Sequence, residues 1–300
     1  MSSEGVHPVA DEPTPTTQRR QLGARLRELR RAAGKTAKQV ADDLGFSLSK
    51  VSRIESGDRA VQSDDISSLI HYFGVGGSAA DDMRALARLA RRRRTPTPQA
   101  FAPTLDDVTV RQDGFFDLER DASWIREFNG GVIPGLLQTR EYMSAAIVDG
   151  TPGISADLVA EAIDTRFRRQ AVLDGDCQYE IIVDESVLLR CVGGPPVMRE
   201  QISFITDAVA SGRVSFGVVP LAVGAHPAVN SMFVSLRVRE GLAPDVVFVE
   251  GLAGPMRFDR PEDVERFDRA WSHLSSLAEW AEDAGARLVA TARRYEGMEP

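Results

Sequence analysis

Between Gly45 and Arg59 the chain reads GFSLSKVSRIESGDR, which places hydroxyls at Ser47, Ser49 and Ser52, cations at Lys50, Arg53 and Arg59, and two aliphatics, Val51 and Ile54, three positions apart. Residues three or four apart share one face of a helix. Val51 and Ile54 can therefore turn inward while Ser49, Ser52 and Arg53 turn outward together. That outward face is either the solvated side of an ordinary amphipathic helix or a side built to enter a DNA groove, and the second use has a definite chemistry. A guanidinium at Arg53 can make a bidentate contact with guanine O6 and N7, a hydroxyl at Ser49 can bond to a base or a phosphate, and Leu48 can meet a thymine methyl. Lys50 and Arg59 suit phosphate, a contact that positions the helix without reading sequence.

A second set of residues is of a type that does covalent chemistry: Asp184, Glu185, Cys191 and His226. A Cys/His nucleophile needs its base within hydrogen-bond reach, and the flanking LLRCVGG carries no nucleophile motif. A phosphodiesterase of the His-x-Lys type needs Lys two residues after His226, where Ala228 stands. Asp184 and Glu185 fit a strand-to-helix boundary, with acids in the first turn complementing the helix dipole. CVGGPP and LAVGAHP match neither phosphate-loop pattern, and their prolines remove the amide donors such loops use. Cys177 and Cys191 have no Cys-x-x-Cys spacing, and His7, His71, His226 and His273 are scattered, so no metal site is expected. The reading is a non-enzyme without cofactors.

The elements that must carry the first set are short helices. Leu22, Leu26 and Leu29 form one apolar stripe that should stop at Gly34. Thr36-Ala-Lys-Gln39 has the form of a capping box opening a helix through Val40 and Leu44 to Gly45. Ser47 can cap a third helix that ends at Ser56-Gly57, Ser63 a fourth with Ile66, Leu69, Ile70 and Phe73 inward, and a fifth should run from about Ser78 into Arg91–Arg94. Two helices joined by a tight glycine turn, the second with a polar outward side, make a helix-turn-helix whose second helix fits the major groove.

Charge divides the chain in the same place. Over 17–95 there are 17 Lys/Arg against 9 Asp/Glu, a net charge of +8, whereas 1–16 carry −3 and 96–300 carry −13. A basic module joined to an acidic one suits a protein that touches phosphate at one end. The expected organisation is a disordered tail over 1–16, a DNA-binding domain over 17–94, a proline-bearing linker over 95–104 (TPTPQAFAPT), and a control domain over 105–300. Within the last, DLVAEAIDTRFRRQAVL and PPVMREQISFITDAVA read as helices, QYEIIVDESVLL as a strand turning into a helix, and VSFGVVPL, SMFVSLRV and DVVFVEGL as strands. A long helical segment follows from about Pro261 to Tyr295. The fold class is thus multidomain: an all-α, five-helix N-terminal domain and a mixed α/β (α+β) C-terminal domain. No apolar run approaches the ~20 residues that span a bilayer, and MSSEGVHPVADEPTPTT has no signal-peptide core, so a cytoplasmic location is expected, on the nucleoid when DNA is bound.

From about Gln18 to Val75 the spacing, caps and glycines resemble the XRE, or Cro/repressor-like, helix-turn-helix family. The resemblance implies DNA contacts from Lys38, Ser47, Leu48, Ser49, Lys50, Ser52, Arg53 and Arg59. The second helix of that family usually begins with a Gln that touches the DNA backbone. Here the position is Ala37, so that contact is lost or moves to Lys35 or Lys38. VIPGLLQTREYM, VDESVLLR, GGPPVMREQI, GAHPAV and DVVFVEG are similar to landmarks of a C-terminal domain of unknown function in actinobacterial XRE regulators, the WhiJ-like group. The likeness implies a homodimeric regulator of double-stranded DNA with an inverted-repeat operator. It further implies a repressor of developmental or specialised-metabolism genes, controlled by a ligand or by a small BldB-like protein partner. Gln138, Arg140, His226 and Asn230 are the expected ligand or partner contacts, because apolar and polar groups mix around them. The alternatives are an interaction module in which DNA binding is secondary, and an enzyme with a DNA-binding appendage.

Overall fold

The computed structural model describes residues 13–91, 114–239, 242–251 and 255–298. They fall into two compact units. The first joins the N-terminal helices to two later segments, Gly114–Asp121 and Val238–Pro244, and the second holds most of the remaining chain.

In the first unit α1 spans Pro15–Ala32, α2 Ala37–Leu44, α3 Leu48–Glu55, α4 Ser63–Tyr72 and α5 Gly77–Ala90. Their inward residues, Leu22, Leu26, Val40, Val51, Ile54, Ile66, Leu69, Ile70 and Met83 among them, form one buried cluster, as the three- and four-residue spacings require. Two starts differ from the sequence expectation. The first helix begins inside the segment assigned to the tail: Thr14 is its N-cap and Pro15 its first residue, where a missing N–H costs nothing. The fourth helix is preceded by Gln62 at the cap position without a side-chain cap bond, and Ser63 is its first helical residue. Asp64 and Asp65 in the first turn serve the exposed amides by charge instead.

A sixth helix, α6 (Phe115–Arg120), belongs to this unit. Asp121 at its end accepts from the Thr14 amide at 2.7 Å and the Thr17 hydroxyl at 2.6 Å, and Asp117 accepts from the Thr16 hydroxyl at 2.6 Å. Thr14, Thr16 and Thr17 are consequently buried. Residues 1–12, the linker at 95–104 and Arg92–Arg94 lie outside the described residues.

The second unit is built on a seven-stranded mixed sheet in the order β6-β5-β4-β1-β2-β3-β7. The strands are β1 Ala122–Asn129, β2 Gln178–Asp184, β3 Ser215–Val219, β4 Phe233–Val238, β5 Val246–Val249, β6 Met256–Phe258 and β7 Glu279–Trp280. β1, β2 and β3 run parallel, with Ile125 opposite Tyr179 and Ile182 opposite Gly217, while β5 pairs antiparallel with both β4 and β6. The helices are α7 (Arg140–Gly150), α8 (Ala156–Arg169), α9 (Glu185–Leu189), α10 (Pro195–Ala210), α11 (Pro261–Leu277) and α12 (Ala281–Glu296). Parallel neighbours need crossovers, and α7 to α8 and α9 to α10 supply them. One core cluster gathers Phe128, Ile182, Val219, Phe233, Val247, Trp271 and Leu274.

The helical segment expected over 261–295 is broken. β7 interrupts it, pairing antiparallel with β3 so that Trp280 faces Gly217. The Trp280 indole then lies where a Gly217 Cβ would come within 3.0 Å of it. The indole seats on the bare glycine, and the pairing with β3 takes Glu279 and Trp280 out of the helical run.

Candidate nucleic-acid interface

α2 is fixed by a reciprocal cap. The Thr36 amide donates to the Gln39 side chain at 2.8 Å, and the Gln39 amide donates to the Thr36 hydroxyl at 3.2 Å. It ends at Gly45, whose φ of 65° is left-handed, and the Phe46 amide closes the turn on the Ala41 carbonyl at 2.8 Å. A side chain at Gly45 would strain this turn, so the glycine decides where α3 begins. Ser47 then caps α3, its hydroxyl accepting from the Lys50 amide at 3.1 Å. Val51 and Ile54 are each 3% exposed, whereas Leu48 at the helix start is 52% exposed. Ser49, Ser52 and Arg53 share the exposed side with it, and the Arg53 Nε donates to the Ser49 carbonyl at 3.2 Å. An exposed leucine, two hydroxyls and a guanidinium are groups that can meet thymine methyls and base edges in a major groove.

The position of α3 depends on contacts that the motif does not reveal. A Cβ at Gly23 would lie 2.6 Å from the Ile54 carbonyl oxygen and 2.7 Å from that of Glu55, so α1 crosses the α3 backbone at a distance only glycine permits. Glu55 is held by Arg30 through two bonds of 2.6 and 2.8 Å, and its carbonyl accepts from Arg27 at 3.2 Å. The bonded carboxylate raises the Arg30 pKa further above its ordinary value. Sequence reasoning singled out neither residue. The signal available was a glycine inside an otherwise apolar helical stripe, which usually marks a close approach.

Lys38 and Arg59 are exposed as a phosphate contact requires. Ala37 is half-buried against the core, and Lys35 is engaged by Asp43 at 3.4 Å, which leaves Lys38 the freer of the two substitutes for the missing Gln. Lys50 departs from the expectation. Its ammonium sits 2.6 Å from Asp65 Oδ1 and 3.7 Å from the Phe46 ring centroid, turned to α4 rather than to the face of Arg53, because a carboxylate and an aromatic face together outcompete water for a half-buried cation.

The expected contacts in the sheet domain are not one site. Gln138 is 3% exposed and committed at both ends, donating to the Ile133 carbonyl at 2.6 Å and accepting from Arg166 at 2.9 Å. Gln201 braces the same turn, accepting from the Thr139 amide at 2.8 Å and donating to the Leu137 carbonyl at 2.5 Å. GLLQT is thus a buried polar brace, which corrects the expectation of a Gln138 ligand contact. Burial lowers the Arg166 pKa to about 10, with Arg169 nearby adding to the effect. His226 has a side chain 1% exposed, with Nε2 3.4 Å from Asp184 Oδ2 and its ring edge-on to Phe128, so it too is internal. Asp184 caps α9, and no described hydrogen bond joins His226 to Cys191. Arg140 is exposed over the Phe167 ring at 4.9 Å, and Asn230 is exposed. Among the described residues no group of three or more His, Cys, Asp or Glu side chains is placed to hold a metal ion.

A glycine turn between two capped helices, the second with an exposed polar face, defines a helix-turn-helix DNA-binding domain, and a family model described as a helix-turn-helix domain matches residues 21–86. A second model, for a domain of unknown function (DUF5753), matches residues 112–289, more than half of the chain, and the protein belongs to that family. Nothing among the curated proteins or the solved structures matches it.

Proposed function

We propose that this protein is an XRE-like transcriptional regulator of the WhiJ-like, actinobacterial kind. It acts in the cytoplasm as a homodimer on an inverted-repeat operator, represses developmental or specialised-metabolism genes, and has no catalytic activity. The observation that carries the reading is the exposed start of α3, where Leu48, Ser49, Ser52 and Arg53 face solvent on a helix whose other side is fully packed. One module of this size buries little DNA surface, which favours two-fold binding with half-sites about one helical turn apart. Control through the sheet domain, by a ligand or a small BldB-like protein, fits the exposed Arg140 and Asn230 better than the internal Gln138 and His226. No described helix is long and apolar enough to cross a membrane.

The test is selection of bound duplexes from a random pool by the full-length protein, followed by footprinting. The expected result is an inverted repeat in which replacing one thymine by deoxyuridine, which removes only the methyl group, weakens wild type and leaves Leu48→Ala indifferent. Protection of a single unrepeated half-site would remove the dimer from the reading, and failure to enrich any sequence would remove DNA recognition itself.

A further inference from the structure

Lys50 lies on α3 one position from Ser49 and three from Arg53, on the flank between the exposed face and the packed one. A cation there is within a side chain's length of the phosphates that border a groove in which the helix sits. Its ammonium is nonetheless 2.6 Å from the Asp65 carboxylate, with the two side chains 20% and 15% exposed, and it caps the Phe46 ring at 3.7 Å. Asp65 comes from the first turn of α4, where the helix dipole favours its negative charge. Asp64 in the same turn is exposed, so that helix start presents acid, not base, to any polyanion.

From this geometry we infer that Asp65 is an internal surrogate for DNA phosphate: it holds Lys50 away from the backbone and thereby limits the sequence-independent part of DNA affinity. The inference rests on the reading of α3 as the DNA-reading helix. A cation already neutralised releases no counterion when DNA arrives, so Lys50 adds nothing to the salt dependence of the wild-type protein. The domain is left to bind by the base-reading face of α3, Arg53 included, and by cations outside the pair, such as Lys38 and Arg59.

The experiment uses the full-length protein and two duplexes, one selected from a random pool by wild type and one of the same composition scrambled, titrated across a range of salt concentrations. Asp65→Asn frees Lys50 and should tighten binding to both duplexes several-fold, with the salt slope steeper by about one. Lys50→Met leaves Asp65 unpaired beside the DNA and should weaken both. The double variant Lys50→Met/Asp65→Asn replaces the pair by neutral groups of similar size, an exchange that half-buried ion pairs tolerate, and should return the wild-type slope. A double variant with a slope shallower than wild type by about one would show that Lys50 leaves Asp65 to contact phosphate, and would overturn the inference. So would an Asp65→Asn protein that melts like wild type and binds both duplexes as wild type does. If wild type prefers no duplex over any other, the DNA-reading assignment fails and takes the inference with it. Preference by wild type with no response to Asp65→Asn sinks the surrogate alone.

Discussion

Arg53 and Lys50 stand three residues apart on one helix, yet their surroundings assign them opposite fates. The Arg53 side chain is exposed and, among the described residues, bonds the Ser49 carbonyl of the preceding turn at 3.2 Å, a contact it can exchange for a base without leaving a buried group unsatisfied. Arg53→Ala should therefore cost about 1–3 kcal/mol on the selected duplex and relax preference at one base pair, with little loss on scrambled DNA; equal losses on both would make Arg53 a phosphate contact. A second residue-scale prediction concerns Ala281, the described non-glycine residue with positive φ, at 51°. The left-handed region costs an L residue about 1–2 kcal/mol, and glycine escapes that cost. Ala281 is the first residue of α12 and follows Trp280, whose indole donates to the Ser275 carbonyl at 3.0 Å, so the strain is imposed where the chain turns from sheet to helix. Ala281→Gly should raise stability by about 1 kcal/mol, read as a higher denaturant midpoint at unchanged slope, and a lower midpoint would mean that the turn is held by something other than backbone strain.

At the scale of elements, the crossing of α1 and α3 decides whether the recognition helix is presented at all. Gly23→Ala would drive a methyl into the carbonyls of Ile54 and Glu55 at 2.6 and 2.7 Å. Backbone cannot yield as a flexible side chain does, so a loss of about 1–3 kcal/mol is expected, accompanied by weaker binding to the selected duplex even at temperatures where the variant is folded. A variant with unchanged DNA affinity would show that α3 is placed by its own caps alone. α12 is tied to the sheet by Arg287, which bonds Glu279 at 2.6 and 2.7 Å and also Glu185. The hydrogen bonds from Arg287 hold the Glu279 pKa below its ordinary value. A depressed carboxylate contributes stability that is complete above its unfolded pKa and is lost as pH falls through the folded one. Arg287→Met should thus be least stable relative to wild type near neutrality, and the gap should close on acidification; a gap that stays constant down to pH ~3 would exclude the ion pair as its cause. The elements legible in the sequence were those with local signatures. The Thr36–Gln39 box, the Gly45 turn and the Ser47 cap are each written within four residues, and the structure has all three. β1 was not legible, because ASWIREFN puts Arg126 and Glu127 in the middle of a strand. Its one cation, Arg126, stacks on Trp124 two residues earlier at 3.8 Å and reaches Glu180 of β2 at 3.2 Å, and no local pattern announces the second partner. The break between α11 and α12 was hidden for the same reason, since it depends on Gly217, more than sixty positions earlier.

The whole chain poses a different question, that of where the DNA-reading unit ends. A boundary near residue 94 follows from charge and proline content, but α1 begins under a helix from beyond the linker. Asp121 accepts from Thr14 and Thr17, Asp117 accepts from Thr16, and Arg20 donates to the Pro244 carbonyl at 3.3 Å. Nothing in PTPTTQRR indicates these partners, because three threonines before a basic helix read equally well as a solvated lead-in. Their burial, 2%, 4% and 0% for Thr14, Thr16 and Thr17, makes the outcome of truncation calculable. A fragment ending at residue 94 loses both acids, strips the Thr14 amide and the Thr16 and Thr17 hydroxyls of their carboxylate partners, and leaves the first turn of α1 to fray. A fragment ending at residue 121 keeps α6. Hydrogen bonds to charged groups contribute about 1.5–3 kcal/mol each before screening, and with two carboxylates engaged the longer fragment should unfold several degrees above the shorter one. Asp121→Asn in the longer fragment should remove much of that difference, since the amide cannot accept from both the Thr14 amide and the Thr17 hydroxyl with the strength of a carboxylate. Each fragment's mass should also be measured. If the sheet domain supplies the dimer contacts, both are monomers that bind a selected half-site weakly, and only the intact chain links the two half-site energies. Identical melting of the two fragments would show that α6 adds nothing to the first unit, and a dimeric fragment with the full operator affinity of the intact chain would place the dimer contacts within residues 1–121.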